Sequence, residues 1–171
     1  MKDLKAFLGG GDLRSTGKSH LLIKKIRNQH DFDELFRFIF SDDRLVAMRA
    51  ADVIEKVTRK NPEYLLSYNN QIVSLMKGNG NKELRWHLAQ LCPRLELKPK
   101  ELATVWTLLR KQATRRDESK IVSVNCLQSL YDLVEKNEHL SDSFKEILLE
   151  VSANPSPAVQ ARIRKLKRNI R

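Results

Sequence analysis

The chain has 171 residues, 41% of them apolar and 31% charged, and its 32 Lys and Arg against 21 Asp and Glu give a formal net charge of +11. That length supports one domain with a continuous core that needs neither disulfides nor a metal to fold. No stretch approaches the roughly 20 apolar residues of a membrane span, and the basic excess favours acidic partners such as an acidic protein or nucleic acid.

The first eleven residues, Met1 to Gly11, contain an acid and lack an apolar block, so they are not a secretory signal and the expected location is the cytoplasm. Residues 1–18 read as a flexible leader and 19–171 as a single repeat domain. Gly11 to Ser19 imitates a phosphate-binding loop, but five residues separate Gly11 from Gly17 where such a loop has four. Asp12 stands where that loop would place a glycine, its carboxylate would repel phosphate, and no strand precedes it. A nucleotide site is therefore not expected.

From there the apolar periodicity is helical throughout, and no segment alternates like a strand. A helix is expected from about Ser19 to Asn28 with Leu22, Ile23 and Ile26 as its face. Pairs of helical runs follow: Phe32–Phe40 and the run from Val46, Tyr64–Met76 and the run from Leu84, Leu102–Leu109 and the run from Val122, Phe144–Val151 and the run from Val159. That makes about nine helices, in four hairpins with an N-terminal cap. The breakers between partners are Ser41-Asp42-Asp43, Gly78-Asn79-Gly80-Asn81, Arg116-Asp117-Glu118 and Asn154-Pro155-Ser156-Pro157, rich in side chains that accept bonds from the first amides of a helix. Pro62 and Pro99 suit helix starts, where a missing amide proton costs little.

The anchors Val46, Leu84, Val122 and Val159 lie 38, 38 and 37 residues apart, a period typical of stacked helical hairpins. From Val46 the core stripe runs through Ala50, Val53 or Ile54, and Val57. It repeats as Leu84, Leu88, Leu91, Leu95 and as Val159, Ile163, Leu166, Ile170. The segments Ser41 to Val53 and Pro155 to Ile163, each a loop followed by a helix of apolar and small residues, resemble HEAT repeats. Over about residues 19–171 the chain is similar to small bacterial HEAT-repeat proteins of the armadillo-type class. The resemblance implies an all-α fold, an alpha-alpha superhelix or solenoid, right-handed, with its second helices lining one face. It implies a scaffold or adaptor more than an enzyme. The third repeat departs from the pattern, with Asn125 matching Arg49 and Arg162, and Leu127 matching Ala51.

Catalytic chemistry finds little support. His20, His30, His87 and His139 are scattered, and no paired Cys spacing or His-Glu-x-x-His occurs, so no metal or other cofactor is expected. Cys92 and Cys126 fall on core stripes and read as buried thiols. The acidic pairs Asp31/Asp33, Asp42/Asp43 and Asp117/Glu118 sit at helix starts, where they favour the positive end of the dipole. Some glycosylases that excise alkylated bases are built from HEAT-like repeats and need an aromatic platform beside a carboxylate. Here Trp86 and Trp106 are followed one turn on by Gln90 and Arg110, so an alkylpurine DNA glycosylase is a distant alternative.

The register itself supplies the functional expectation. Three residues after each anchor stand Arg49, His87, Asn125 and Arg162. Six after come Asp52, Gln90, Gln128 and Lys165, and ten after come Lys56, Arg94, Asp132 and Asn169. At about 100° per residue these positions share one flank away from the apolar stripe, and in a stacked array they align into a polar ridge. The last 14 residues carry Arg162, Arg164, Lys165, Lys167, Arg168 and Arg171 with no acid. The partner-binding set is then Arg49, Arg85, His87, Arg94, Arg162, Arg164, Lys165, Lys167 and Arg168. The expected partner is another protein with an acidic surface, with non-specific nucleic-acid binding through the basic last repeat as the alternative. No membrane and no small-molecule substrate is indicated.

Overall fold

The computed structural model describes residues 4–11, 17–78 and 81–169. Asp12, Asn79, Gly80, Ile170 and Arg171, all used in the sequence argument, lie outside the described residues. The described residues form nine α-helices joined by turns and short 3-10 segments, with no strand. Their contacts divide the chain into two compact units, Met1–Tyr68 and Asn69–Arg171.

In the first unit, α1 (Leu4–Leu8), α2 (Gln29–Phe36) and α3 (Arg44–Thr58) are accompanied by 3-10 segments at Ser19–Leu22, Arg37–Phe40 and Pro62–Tyr68. Two expectations change here. The leader contains α1, whose Leu4 and Leu8 are buried. Ser19–Asn28 is not an α-helix but a 3-10 turn that buries Leu22, because Asn28 is extended (φ −154°, ψ 173°) as the cap of α2. Its Oδ1 accepts from the Asp31 amide at 2.9 Å. Asp43 does the same for α3, its Oδ1 accepting from Leu45 N at 2.9 Å. Such caps satisfy amides that the helix itself cannot.

The core of this unit joins Phe32, Leu35 and Phe36 of α2 to Val46, Ala50, Val53 and Ile54 of α3. Tyr68 stacks on Phe36 with ring centroids 3.8 Å apart, and its hydroxyl donates to Asp33 Oδ1 at 2.6 Å.

The second unit contains α4 (Asn69–Lys77), α5 (Lys82–Leu91, continued by a 3-10 turn Cys92–Arg94), α6 (Pro99–Thr114), α7 (Lys120–Val134), α8 (Ser141–Val151) and α9 (Pro157–Asn169). α4 packs on α5 and α6 on α7, while α8 and α9 both lie against α7. The first helices α4, α6 and α8 neighbour one another, as do the second helices α5, α7 and α9. Two layers of helices therefore enclose Leu84, Leu88, Leu109, Val122, Cys126, Leu130, Ile147, Val159 and Ile163, every one of them buried. Complete burial of such a side chain contributes about 1.5–3 kcal/mol. Pro99 opens α6, where Lys98 N donates to Glu101 Oε2 at 2.8 Å. Asn81 caps α5 through its bond from Leu84 N. The expected anchors are all on the core side: Val46, Leu84, Val122 and Val159 are each less than a tenth exposed.

Candidate functional site

The second-helix face of the 69–171 unit is built by the register. Gln90 on α5 donates from Nε2 to Asn125 Oδ1 on α7 at 2.9 Å. One hairpin later, Gln128 on α7 accepts through Oε1 from Arg162 Nη1 on α9. Both rungs join the sixth position after one anchor to the third position after the next. The polar columns therefore bond between hairpins as well as facing water.

Gln128 makes a further bond along its own helix, Nε2 to Asp132 Oδ1 at 2.7 Å. Burial raises the pKa of Asp132, while the Gln128 bond and the charges of Arg162 and Arg94 work against that rise. Gln128, Asp132, Arg162 and Arg94 are all half-buried. The face thus holds a network of two guanidinium groups around one carboxylate, with the Gln128 amide and the Arg162 guanidinium held by bonds within the chain.

The expected binding residues separate into three groups. Arg49 is not on a ridge: it is fully buried, and its Nη1 donates to the carbonyls of Leu8, Gly9 and Gly10 at 2.9, 2.8 and 2.6 Å. A buried guanidinium needs such acceptors, and the glycine run supplies them by turning through positive φ at Gly10 and Gly11. Gly17 also has positive φ (53°), and a Cβ there would stand 3.0 Å from Arg49 Cζ. The signal in the sequence was the triple glycine after Leu8, which reads as leader until its long-range acceptor role is seen.

His87 is likewise turned inward, 6% exposed, with its ring 5.3 Å from that of Trp86. Arg85 is half-buried and committed to Glu118 at 2.7 Å, and the same carboxylate oxygen accepts from Ser119 N. That pair ties α5 to the α6–α7 connection.

Arg94 and Arg162 belong to the half-buried network. Arg164, Lys165, Lys167 and Arg168 remain exposed on α9, a helix with no acidic residue.

The other candidate groups have structural surroundings. Trp106 is buried and donates from Nε1 to Ser143 Oγ at 3.2 Å, so its indole is engaged in packing between α6 and α8. Cys92 and Cys126 are fully buried thiols, and burial pushes both pKa values up, away from the reactive thiolate. Among the described residues, no group of three or more His, Cys, Asp or Glu is placed to hold a metal ion, and no helix is long and apolar enough to cross a membrane.

Comparison with curated proteins and with solved structures returns no match. A family model described as HEAT repeat domain matches residues 14–170. Buried anchors at a fixed period and the rungs between α5, α7 and α9 agree with that match, which covers nearly the whole length, and the chain belongs to the HEAT-repeat family.

Proposed function

We propose that the chain is a non-enzymatic binding scaffold that holds an acidic protein segment along the second-helix face of its 69–171 unit. HEAT repeats generally mediate interactions between proteins, and the reading rests on one observation above all. The rungs Gln90–Asn125 and Gln128–Arg162 repeat the same register across α5, α7 and α9. They present fixed amide groups in a row, with Arg94 and Arg162 within it and Lys165 exposed at its end. Side-chain amides and guanidinium groups suit the carbonyls and carboxylates of an acidic segment. Nothing in the arrangement supplies a nucleophile with an adjacent base.

A second reading follows from α9, whose Arg164, Lys165, Lys167 and Arg168 are exposed on a helix without acids. Such a helix also suits phosphate backbones, without base specificity. Fluorescence anisotropy separates the two. A labelled Glu-rich peptide is expected to bind at low salt and to resist competition from duplex DNA. Tight duplex binding with a steep salt dependence, and no peptide binding, would overturn the scaffold reading in favour of the second.

A further inference from the structure

The second helices α5 and α7 each have a flank that meets the following hairpin, and its positions are two, five, eight and nine residues after the anchor. On α5 and its 3-10 continuation these are Trp86, Ala89, Cys92 and Pro93. Ala89 O accepts from Ser129 Oγ at 2.7 Å and Pro93 O from Lys136 Nζ at 2.6 Å, both donors belonging to the next hairpin. On α7 the positions are Val124, Leu127, Leu130 and Tyr131. Leu127 and Leu130 are fully buried, and the Tyr131 hydroxyl donates to Asn169 O on α9 at 3.4 Å. A small or apolar row is thus the rule where a helix packs on this flank.

On α9 the same four positions are Ala161, Arg164, Lys167 and Arg168, all exposed. This is a different flank from the ridge. At about 100° per residue, the fifth position lies about 100° around the helix from the sixth, where Lys165 stands. A polar face suffices to keep an uncovered helix flank soluble, and acids would serve as well as bases. Here three of the four positions are cationic, and α9 contains no acid to neutralise them.

From this register we propose that the Ala161–Arg168 flank of α9 is a docking surface for an acidic helix of a partner protein. The proposal rests on the scaffold reading above and locates one of its contacts. In this unit each equivalent flank that is occupied takes a helix, and Ala161 leaves room for close approach at one end of the row. Arg164 and Arg168 stand four apart on one helical face, with Lys167 beside them. They match carboxylates spaced three or four apart on a helix packed against them. A second copy using the same flank would set cations against cations.

The test uses the full chain with three probes: an Ala-based helical peptide with Glu at three- and four-residue spacing, a peptide of the same composition broken by a central proline, and a duplex oligonucleotide. The helical peptide is expected to bind several-fold more tightly than the broken one at low salt. Arg164→Glu/Lys167→Glu/Arg168→Glu is expected to weaken it about tenfold. The control Lys77→Glu/Lys111→Glu/Arg116→Glu, equal in charge change, should leave it within about threefold. Arg164→Gln/Lys167→Gln/Arg168→Gln repeats the test without new acids at the end of α9. Equal losses in control and test variants, equal affinity for both peptides, or preference for the duplex would overturn docking on this flank. If acidic peptides still bind with unchanged affinity after the α9 substitutions, the flank fails and the scaffold reading stands; no acidic peptide binding at all overturns both.

Discussion

Gln90 and Asn125 lie 35 residues apart and meet at 2.9 Å, the sixth position of one second helix bonded to the third position of the next. The bond makes the repeat register energetically consequential at the surface as well as in the core. Asn125→Ala is expected to cost about 1 kcal/mol in urea unfolding, and the Gln90→Ala/Asn125→Ala cycle should show a coupling of about 0.5–1 kcal/mol. Strict additivity would mean that the rung contributes nothing.

Arg49 should behave as a core residue. Arg49→Met leaves the carbonyls of Leu8, Gly9 and Gly10 without their shared donor. It is expected to destabilise the chain by about 3 kcal/mol and to expose the Gly9–Gly11 stretch to proteolysis. Gly17→Ala should act in the same direction by about 1–2 kcal/mol, because it combines positive φ with a Cβ against the guanidinium. Wild-type stability and cleavage pattern in Arg49→Met would contradict this account of the N-terminal segment.

The legibility of the chain follows the range of the interactions. The anchors Val46, Leu84, Val122 and Val159 were readable because burial repeats with the helical period, and a local pattern carries that signal. The ridge is legible in outline, because helical spacing puts Gln90, Asn125, Gln128 and Arg162 on one flank, but their pairing across hairpins is not. Arg49 reads as a ridge residue in the sequence for a plain reason: its position matches Arg162, yet its acceptors come from about 40 residues upstream. Periodicity says nothing about a segment outside the repeat. Arg85 and His87 also read as surface groups in the sequence, since helical spacing does not show that Glu118 lies over Arg85 or that His87 is turned inward.

Asp33 and Tyr68 supply a pH dependence. The Tyr68 hydroxyl, and after it the Gln29 amide, hold the Asp33 carboxyl below the usual aspartate range. With the folded pKa depressed, the pair's contribution is complete above the unfolded aspartate pKa of about 3.9 and is lost as pH falls through the folded value. Tyr68→Phe is expected to cost about 1 kcal/mol near neutral pH, with the gap to wild type narrowing below about pH 4. A gap that is constant across that range would contradict the assignment.

Cys92 and Cys126 should be silent in the native state. Both are buried, and their raised pKa values keep them as thiols. Labelling with a thiol-reactive disulfide at mildly alkaline pH should proceed only at the rate of unfolding and speed up in urea. Rapid native-state labelling of either residue would place it in a solvent-accessible setting.

The central claim is that the second-helix face of the 69–171 unit is a binding surface, and nuclear magnetic resonance tests it most directly. On titration with a Glu-rich peptide at low salt, the side-chain amide signals of Gln90, Asn125 and Gln128 and the backbone signals around Arg94, Arg162 and Lys165 are expected to shift together and saturate. Saturable binding whose shifts fall elsewhere, with these signals unmoved, would contradict it.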